Sequence, residues 1–511
     1  MTGKKSTGNF IFIISLIIVM SVALYSILAS DSFSNVADSA FRVLTKHFSW
    51  MYLLVMFLFV IFVFLLAISK YGYLKLGAED AKPEYSTFSW FAMLFCAGMG
   101  VGLVFWGISE PISHYINPVG AESGTPEAAA FAFKSVFMHW GIHPWANYAV
   151  LGLALAYFQF RKGHAGLISS TLSALLGERN TTGFLGKIVD ILGIFATVAG
   201  VATSLGLGVM QITTGLNKLV CMPDTTAAQV IIICIITLIF LASALSGIGK
   251  GIKLLSNANI ILAVFFVTIA VIVGPKTAML NNFTEGLGNY LNSFVKDSLA
   301  ISAYGDNSWL ESWRVFYWAW WIAWAPFVGA FIARISYGRT IREFIIGVVL
   351  APTAASIVWF TVFGTMGIHL GESDMMTLSE LGEAASAPEA GLFVVLQQYP
   401  MGTVLSFAAI LLLFIFFITS ADSGTYVLAM LSSNGAKDPS VWKKLTWGAV
   451  QTLLAIGLLL SGGLKPLQTI SIVAAFPFMF VMVGACISLW KALQFEYCSP
   501  VCKAETGEKE E

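Results

Sequence analysis

Trp318, Trp320, Trp321 and Trp324 fall within seven residues of the segment "FYWAWWIAWAPFVGAF". Indole faces carry the negative part of a quadrupole and attract cations, each desolvated contact being worth about 2 kcal/mol. On a helix Trp320 and Trp324 are four apart and Trp321 and Trp324 three apart, so their rings share a face. A second cluster, Trp140, Trp145 and Tyr148, lies in "HWGIHPWANY" and spreads over an arc of about 140° at 100° per residue. Two clusters on different helices can enclose a ligand. A quaternary ammonium suits them, because it has no N–H to donate and needs a diffuse, dry partner. The blander reading is a bulky packing face between helices.

Charge narrows the ligand. No Asp or Glu occupies the middle of the apolar runs that carry these rings, and Glu110 falls at the outer end of the run before them. A bare cation would therefore lack a counter-charge, whereas a zwitterion brings its own. The stretch "AGMGVGL" places Gly98, Gly100 and Gly102 at alternate positions inside an apolar run. Each glycine weakens a helix, and together they predict an unwound turn. In lipid such a turn persists where it lines a cavity. Its backbone N–H groups, at Gly98, Met99 and Gly100, can receive a carboxylate. Close helix packing through small residues is the competing explanation.

Other polar groups carry weaker signals. Thr419 and Ser420, in "FFITSADSGT", are adjacent hydroxyls deep in an apolar run and offer hard oxygen donors for Na⁺. Isolated hydroxyls of this kind usually bond back to their own helix. Asp422 reads as a structural carboxylate. His139 and His143 have the spacing of a zinc pair but no third ligand in sight. Cys96, Cys234 and Cys486 sit in apolar runs as inert small residues. Cys498 and Cys502 lack the further ligands that a metal site needs.

These residues must be held by membrane-spanning elements. The 511 residues are 57% hydrophobic and 11% charged, against about 25% charged in soluble domains, and the mean hydropathy is +0.81. Apolar runs of helix length mark a polytopic, all-α membrane protein. Twelve spans are predicted near 10–30, 50–69, 88–108, 136–160, 187–216, 227–247, 255–275, 314–335, 344–368, 402–425, 445–462 and 468–491. The first is expected to be a retained helix, not a cleaved signal. Pro326 removes one backbone hydrogen bond from the eighth span. An interrupted helix is thus predicted in each half, in spans three and eight, which points to a secondary transporter with inverted repeats. The expected divisions are 1–87 with two leading helices, 88–275 and 314–491 as the two five-helix repeats, 276–313 as a surface helix or loop, and 492–511 as a short tail.

Lys4, Lys5, Lys70, Lys75, Arg161, Lys162, Lys250, Lys253, Arg334, Arg339, Arg342, Lys443 and Lys444 all fall on the N-terminal side of the predicted spans. The positive-inside rule then makes both termini cytoplasmic. The arginine cluster reads as a solvated loop that can touch anionic membrane lipid. Zero net charge gives no hint of a nucleic-acid partner. No nucleotide-binding Gly-Lys-Ser/Thr loop is present, and no nucleophile–base pair emerges, so an enzyme is not expected. A channel would show a continuous polar lining, and a sensor would carry an output domain, which is not expected here.

The segments "AGMGVGL", "HWGIHPWANY", "FYWAWWIAWAPFVGAFIARISYGRTIREF" and "FFITSADSGT" together resemble the betaine/choline/carnitine transporter family, over nearly the whole chain. The resemblance implies a twelve-helix subunit, usually in a homotrimer, with a LeuT-like 5+5 inverted repeat after two extra helices. It maps an aromatic box onto Trp140, Trp145, Tyr148 and Trp321, with Trp320, Trp324 and Phe327 along the translocation path. It implies a Na⁺ site from carbonyls of Cys96, Met99 and Phe416 with the hydroxyls of Thr419 and Ser420. A second sodium site would need two threonines a turn apart, but this chain has Thr197 followed by Val201, and valine cannot ligate a cation. Choline-transporting members carry Asp where this chain has Gly102, and sodium-independent carnitine exchangers carry an Arg in span seven, where this chain has Asn257 and Asn259. The expectation is a Na⁺-coupled symporter of glycine betaine or a close methylated zwitterion, an osmoprotectant carrier of a cell inner membrane, with no other cofactor. The alternatives are a sodium-independent carnitine/betaine exchanger, or uptake of choline or a sulfonium betaine.

Overall fold

The computed structural model describes residues 2–98, 100–246 and 251–506, with side chains described from 9 to 94, 100 to 243, at 255, and from 257 to 497. Among the described residues every regular element is helical. The order is α1 (Thr2–Leu28), α2 (Ser30–Ile68), α3 (Thr87–Gly98), α4 (Val101–Ile116), α5 (Pro126–Trp140), α6 (Ile142–Ala156), two single turns α7 (Ser173–Leu176) and α8 (Glu178–Thr181), then α9 (Phe184–Val220) and α10 (Thr226–Ser246). There follow α11 (Gly251–Val273), α12 (Lys276–Ser298), α13 (Phe316–Ile335), α14 (Ile341–Glu372), α15 (Leu378–Ser386), α16 (Pro388–Leu396), α17 (Gly402–Leu431), α18 (Val441–Leu460) and α19 (Leu464–Thr506). Eight stretches are individually long and apolar enough to cross a membrane. A ninth, α11, runs into α12 through a 111° bend at Gly274 and Pro275. The broken pairs α3/α4 and α5/α6, together with α18, bring the spans to the predicted twelve.

Local chemistry sets the boundaries. Thr125 caps α5 by accepting from the Ala128 N–H, with Pro126 in the first turn. Thr340 with Glu343 and Thr377 with Glu380 form reciprocal capping boxes at the starts of α14 and α15. Cys221 ends α9 in the left-handed conformation, φ 55°.

The interruptions differ from expectation. Span three is broken between α3 and α4, where Gly100 starts α4 with φ −129° and ψ −155°; Met99 lies outside the described residues. Span eight is not broken: α13 runs through Pro326, after a wider π turn at Leu310–Val315. One lost hydrogen bond in a stretch that is buried from Phe316 to Gly329 is tolerated, because neighbouring helices can supply what the ladder lacks. The second break lies instead in span four, at Gly141, whose φ of −91° and ψ of −128° end α5 and start α6.

The loops 69–86, 157–168 and 336–340 meet on one face. Leu76 N–H donates to Arg339 O (2.8 Å) and Ile341 N–H to Leu74 O (2.9 Å). Arg161 binds Glu496 of α19, Glu79 (2.5 Å) and the carbonyls of Lys75 and Gly77 (3.2 Å each). Lys187 and Lys443 reach the rings of Phe10 and Phe12 near the start of α1. Lys187 and Lys443 thus lie on the face that carries the N-terminal end of α1.

Candidate functional site

The indole-rich segment is interior. From Phe316 to Gly329 every residue of α13 is buried, which rules out an interfacial belt for Trp318, Trp320, Trp321 and Trp324. Helix α6 lies directly on α13 because Gly152 and Gly329 face each other: a Cβ on Gly152 would stand 3.2 Å from Gly329 O. Small residues at a crossing let backbones approach and bring the flanking rings together.

Four of the predicted residues form one cluster. Trp140 meets Trp321 edge-on (4.9 Å, 72°), and Tyr148 meets Trp321 (6.3 Å, 78°) and Trp145 (5.6 Å, 80°). Trp320 stacks on Trp321 (4.9 Å, 13°), and Trp324 meets Phe327 (5.5 Å, 73°). Gly102 of α4 abuts this cluster, since a Cβ there would lie 2.7 Å from Trp320 Cη2 and 3.0 Å from Trp140 Cη2. Gly100 points the same way, 4.0 Å from Trp324 Cη2 and 3.7 Å from Ser420 Oγ on the same measure. The break in span three, the box and span ten are thus contiguous. Tyr148 Oη, Trp320 Nε1 and Trp324 Nε1 are buried and have no partner among the described residues.

The breaks orient the rings. His139 is two residues before Gly141, and its carbonyl accepts from Trp321 Nε1 (2.9 Å). The Ile142 N–H beyond the break donates to Tyr290 Oη (3.1 Å). Asn147 Nδ2 donates to Trp321 O (2.8 Å), next to the carbonyl of Ile322 that Pro326 leaves unpaired.

Sequence reasoning placed Glu110 at the outer end of its span and gave it no role. In the fold it is fully buried, and it is the acceptor for four groups. Oε1 faces His139 Nδ1 (2.6 Å) and His114 Nε2 (3.3 Å), and Oε2 accepts from Trp140 Nε1 (2.8 Å) and Tyr317 Oη (2.5 Å). Trp309 Nε1 donates to His114 Nδ1 (3.2 Å), which leaves the other nitrogen of that ring to donate to Glu110. The usable signal was a lone Glu inside an apolar run, which must be paired when buried. Glu110, His114 and His139 also offer three ligand-type atoms within 4.8 Å of one another. A carboxylate has four lone-pair sites, and all four are engaged here, so the group reads as a hydrogen-bond hub. His143 does not join it, but turns to Ser298 Oγ (3.0 Å) and stacks on Trp318 (4.9 Å).

The predicted cation ligands are partly visible. Thr419 Oγ1 bonds back to Ile415 O (2.9 Å) and Phe416 O (3.2 Å), while Ser420 is half-buried beside Gly100. Cys96 and Gly98 lie within α3, and the Cys96 side chain and the Met99 carbonyl lie outside the described residues. Thr197 bonds back to Gly193 O (2.8 Å), and Val201 packs toward Gly424. Asp422 accepts from Ser243 Oγ (2.8 Å).

Residues 10–497 match the description "BCCT, betaine/carnitine/choline family transporter". The chain belongs to this family. As a family member it is a multi-pass membrane transporter and not an enzyme. It is 46% identical to the glycine betaine transporter OpuD of Bacillus subtilis, over 95% of this chain and 94% of that one. It is 45% identical to a probable glycine betaine transporter of Desulfitobacterium hafniense, over 97% and 99%. It is 41% identical to the ectoine/hydroxyectoine transporter of Virgibacillus pantothenticus, over 94% and 95%.

In this family member a cavity of about 380 Å³ lies between the box and the basic face. Phe327 lines it at one end, and Arg334, Tyr337, Tyr426 and Lys437 line it at the other. That volume lies within the range of about 300–1,000 Å³ usual for small-molecule sites. Of the predicted substrate-site residues, Phe327 on the translocation path lines it, and the four box residues do not. On the far side of the box, the rings of Trp309 and Tyr317 stack on His139 of the Glu110 hub, and Trp313 stacks on Tyr317.

Proposed function

We propose that this transporter carries glycine betaine, or a close methylated zwitterion, and couples its entry to Na⁺. One observation carries the substrate reading: three buried donors, Tyr148 Oη, Trp320 Nε1 and Trp324 Nε1, lack partners among the described residues, beside a wall of indole faces. A buried unsatisfied polar group costs about 1–3 kcal/mol. A ligand with a methylated onium end and a carboxylate end uses both features, the rings for the cation and the donors, with the N–H groups near Gly100, for the anion. The names of the Bacillus subtilis and Desulfitobacterium hafniense relatives agree with this choice.

Sodium coupling is supported by the approach of Gly100 to Ser420 Oγ, with Thr419 one residue before it and the carbonyl of Phe416 a turn away. The second position, Thr197, has only a valine to pair with, so one Na⁺ per substrate is the simpler stoichiometry. The basic face is the cytoplasmic one by charge, which puts both termini in the cytoplasm of a cell inner membrane. The two halves, 88–275 and 314–491, act as inverted repeats that rock around the box in a homotrimer. A membrane potential adds about 2.3 kcal/mol per charge per 100 mV to the driving force.

Uptake of labelled glycine betaine into proteoliposomes tests this, with an inward Na⁺ gradient set against an equal K⁺ gradient. Concentrative uptake with Na⁺ alone is expected. Uptake that ignores Na⁺ and needs carnitine or betaine inside would make the protein an exchanger. Preference for ectoine, choline or a sulfonium analogue over betaine would keep the transporter and replace the substrate.

A further inference from the structure

A box built for an onium group with no acidic residue in it leaves the cation's charge to the ring faces alone. The structure alters that picture. Trp140 is held at both ends: its Cη2 abuts Gly102, its ring packs against Trp321 of the box (4.9 Å), and its Nε1–H donates to Glu110 Oε2 at 2.8 Å. Glu110 receives four hydrogen bonds and is buried among rings, so its charge is poorly screened. A charge-assisted hydrogen bond on the indole N–H pushes electron density back into the ring system. The face presented to a cation becomes more negative, and the carboxylate's own field adds to it one ring away.

We propose that Glu110 acts through Trp140 as the counter-charge of the aromatic box, a positioning residue that sets its preference for an onium group over a neutral group of the same shape. The inference rests on the reading of the box as an onium site. It places the negative charge one hydrogen bond behind the ring, where it favours the cation without forming an ion pair that would hold it. Tyr317 shares Oε2 with Trp140 and stacks over His139 (4.8 Å, 24°), so the hub also fixes the ring edges against which Trp140 and Trp321 rest.

The test compares glycine betaine with 3,3-dimethylbutanoate, its carbon isostere, which has the same shape and carboxylate but no positive charge. Each competes for labelled glycine betaine on the purified full-length protein, wild type and Glu110→Gln. Loss of the charge is expected to weaken betaine by about tenfold, with the isostere unchanged or tighter. A purely structural role would weaken both equally, and that result overturns the proposal, as does an unchanged ratio. Should Glu110→Gln fail to fold, Trp140→Phe carries the test, because it keeps a ring and severs the bond to Glu110. Its ratio is expected to fall as well, and an unchanged ratio overturns the proposal. Adding Glu110→Gln to Trp140→Phe is expected to lower the ratio little further, since both act on one contact. Wild-type protein that binds neither compound would overturn the substrate reading and the inference together; wild-type binding with unaltered ratios in the variants would overturn the inference alone.

Discussion

Gly102 is the residue at which the box meets the broken helix. A methyl group there would intrude on both Trp320 and Trp140, at 2.7 and 3.0 Å, and both rings are buried. Overpacking of this kind costs about 1–3 kcal/mol, through displaced side chains. Gly102→Ala is therefore expected to weaken glycine betaine binding by about tenfold, measured as an equilibrium dissociation constant, while the protein remains folded in detergent. Gly102→Asp adds a larger side chain to the same contact. Its carboxylate cannot enter without moving both indoles, so loss of betaine binding is expected before any gain of choline. The comparison separates charge from volume at one position.

At the scale of the helix, the break at Gly141 matters as much as the one in span three. It exposes the carbonyl of His139 to Trp321 and the N–H of Ile142 to Tyr290, so two elements read their orientation from one irregular residue. A Cβ on Gly141 would collide with Phe137 O of its own chain segment and stand 2.8 Å from Tyr290 Oη. The first clash is with backbone and cannot be relieved by a rotamer change. Gly141→Ala is expected to destabilise the fold by about 1–3 kcal/mol and to lower the thermal unfolding midpoint of the detergent-solubilised protein. Substrate affinity should fall with it, because Trp321 loses its anchor.

At the scale of the molecule, the basic face is tied together by Arg161. One guanidinium joins the end of α6, the loop 69–86 and α19 through Glu496, Glu79 and two carbonyls. Tyr157 (2.5 Å) and Lys162 (2.7 Å) also bind Glu496. Charged hydrogen bonds that are shielded from water contribute about 1.5–3 kcal/mol each, and members of one network are not additive. Arg161→Ala is expected to lower the unfolding midpoint, and Glu496→Gln to add much less in that background than alone. Equal and additive shifts would mean that the two groups act separately. The cavity below Phe327 opens among these same loops, so the network borders the route between the box and the basic face.

The sequence by itself determined the environment, the number of spans and the chemistry of the box. Twelve apolar runs leave the backbone no choice but helices in lipid, and the positions of Trp, Tyr and Gly named the rings and the weak turn. Those inferences are local: hydropathy and helical spacing are properties of neighbouring residues. The sites of interruption were legible only in part. The glycine triplet announced the break in span three, but Pro326 sits in an unbroken helix and the lone Gly141 ends one, because surrounding helices decide which freed backbone groups find partners. That Glu110 needs partners was legible, but which long-range partners it takes belonged to the tertiary structure. Its four donors come from α4, α5 and α13, up to 207 residues away in the chain. No spacing rule reaches that far, and only packing brings a carboxylate, two imidazoles, an indole and a phenol to one buried point.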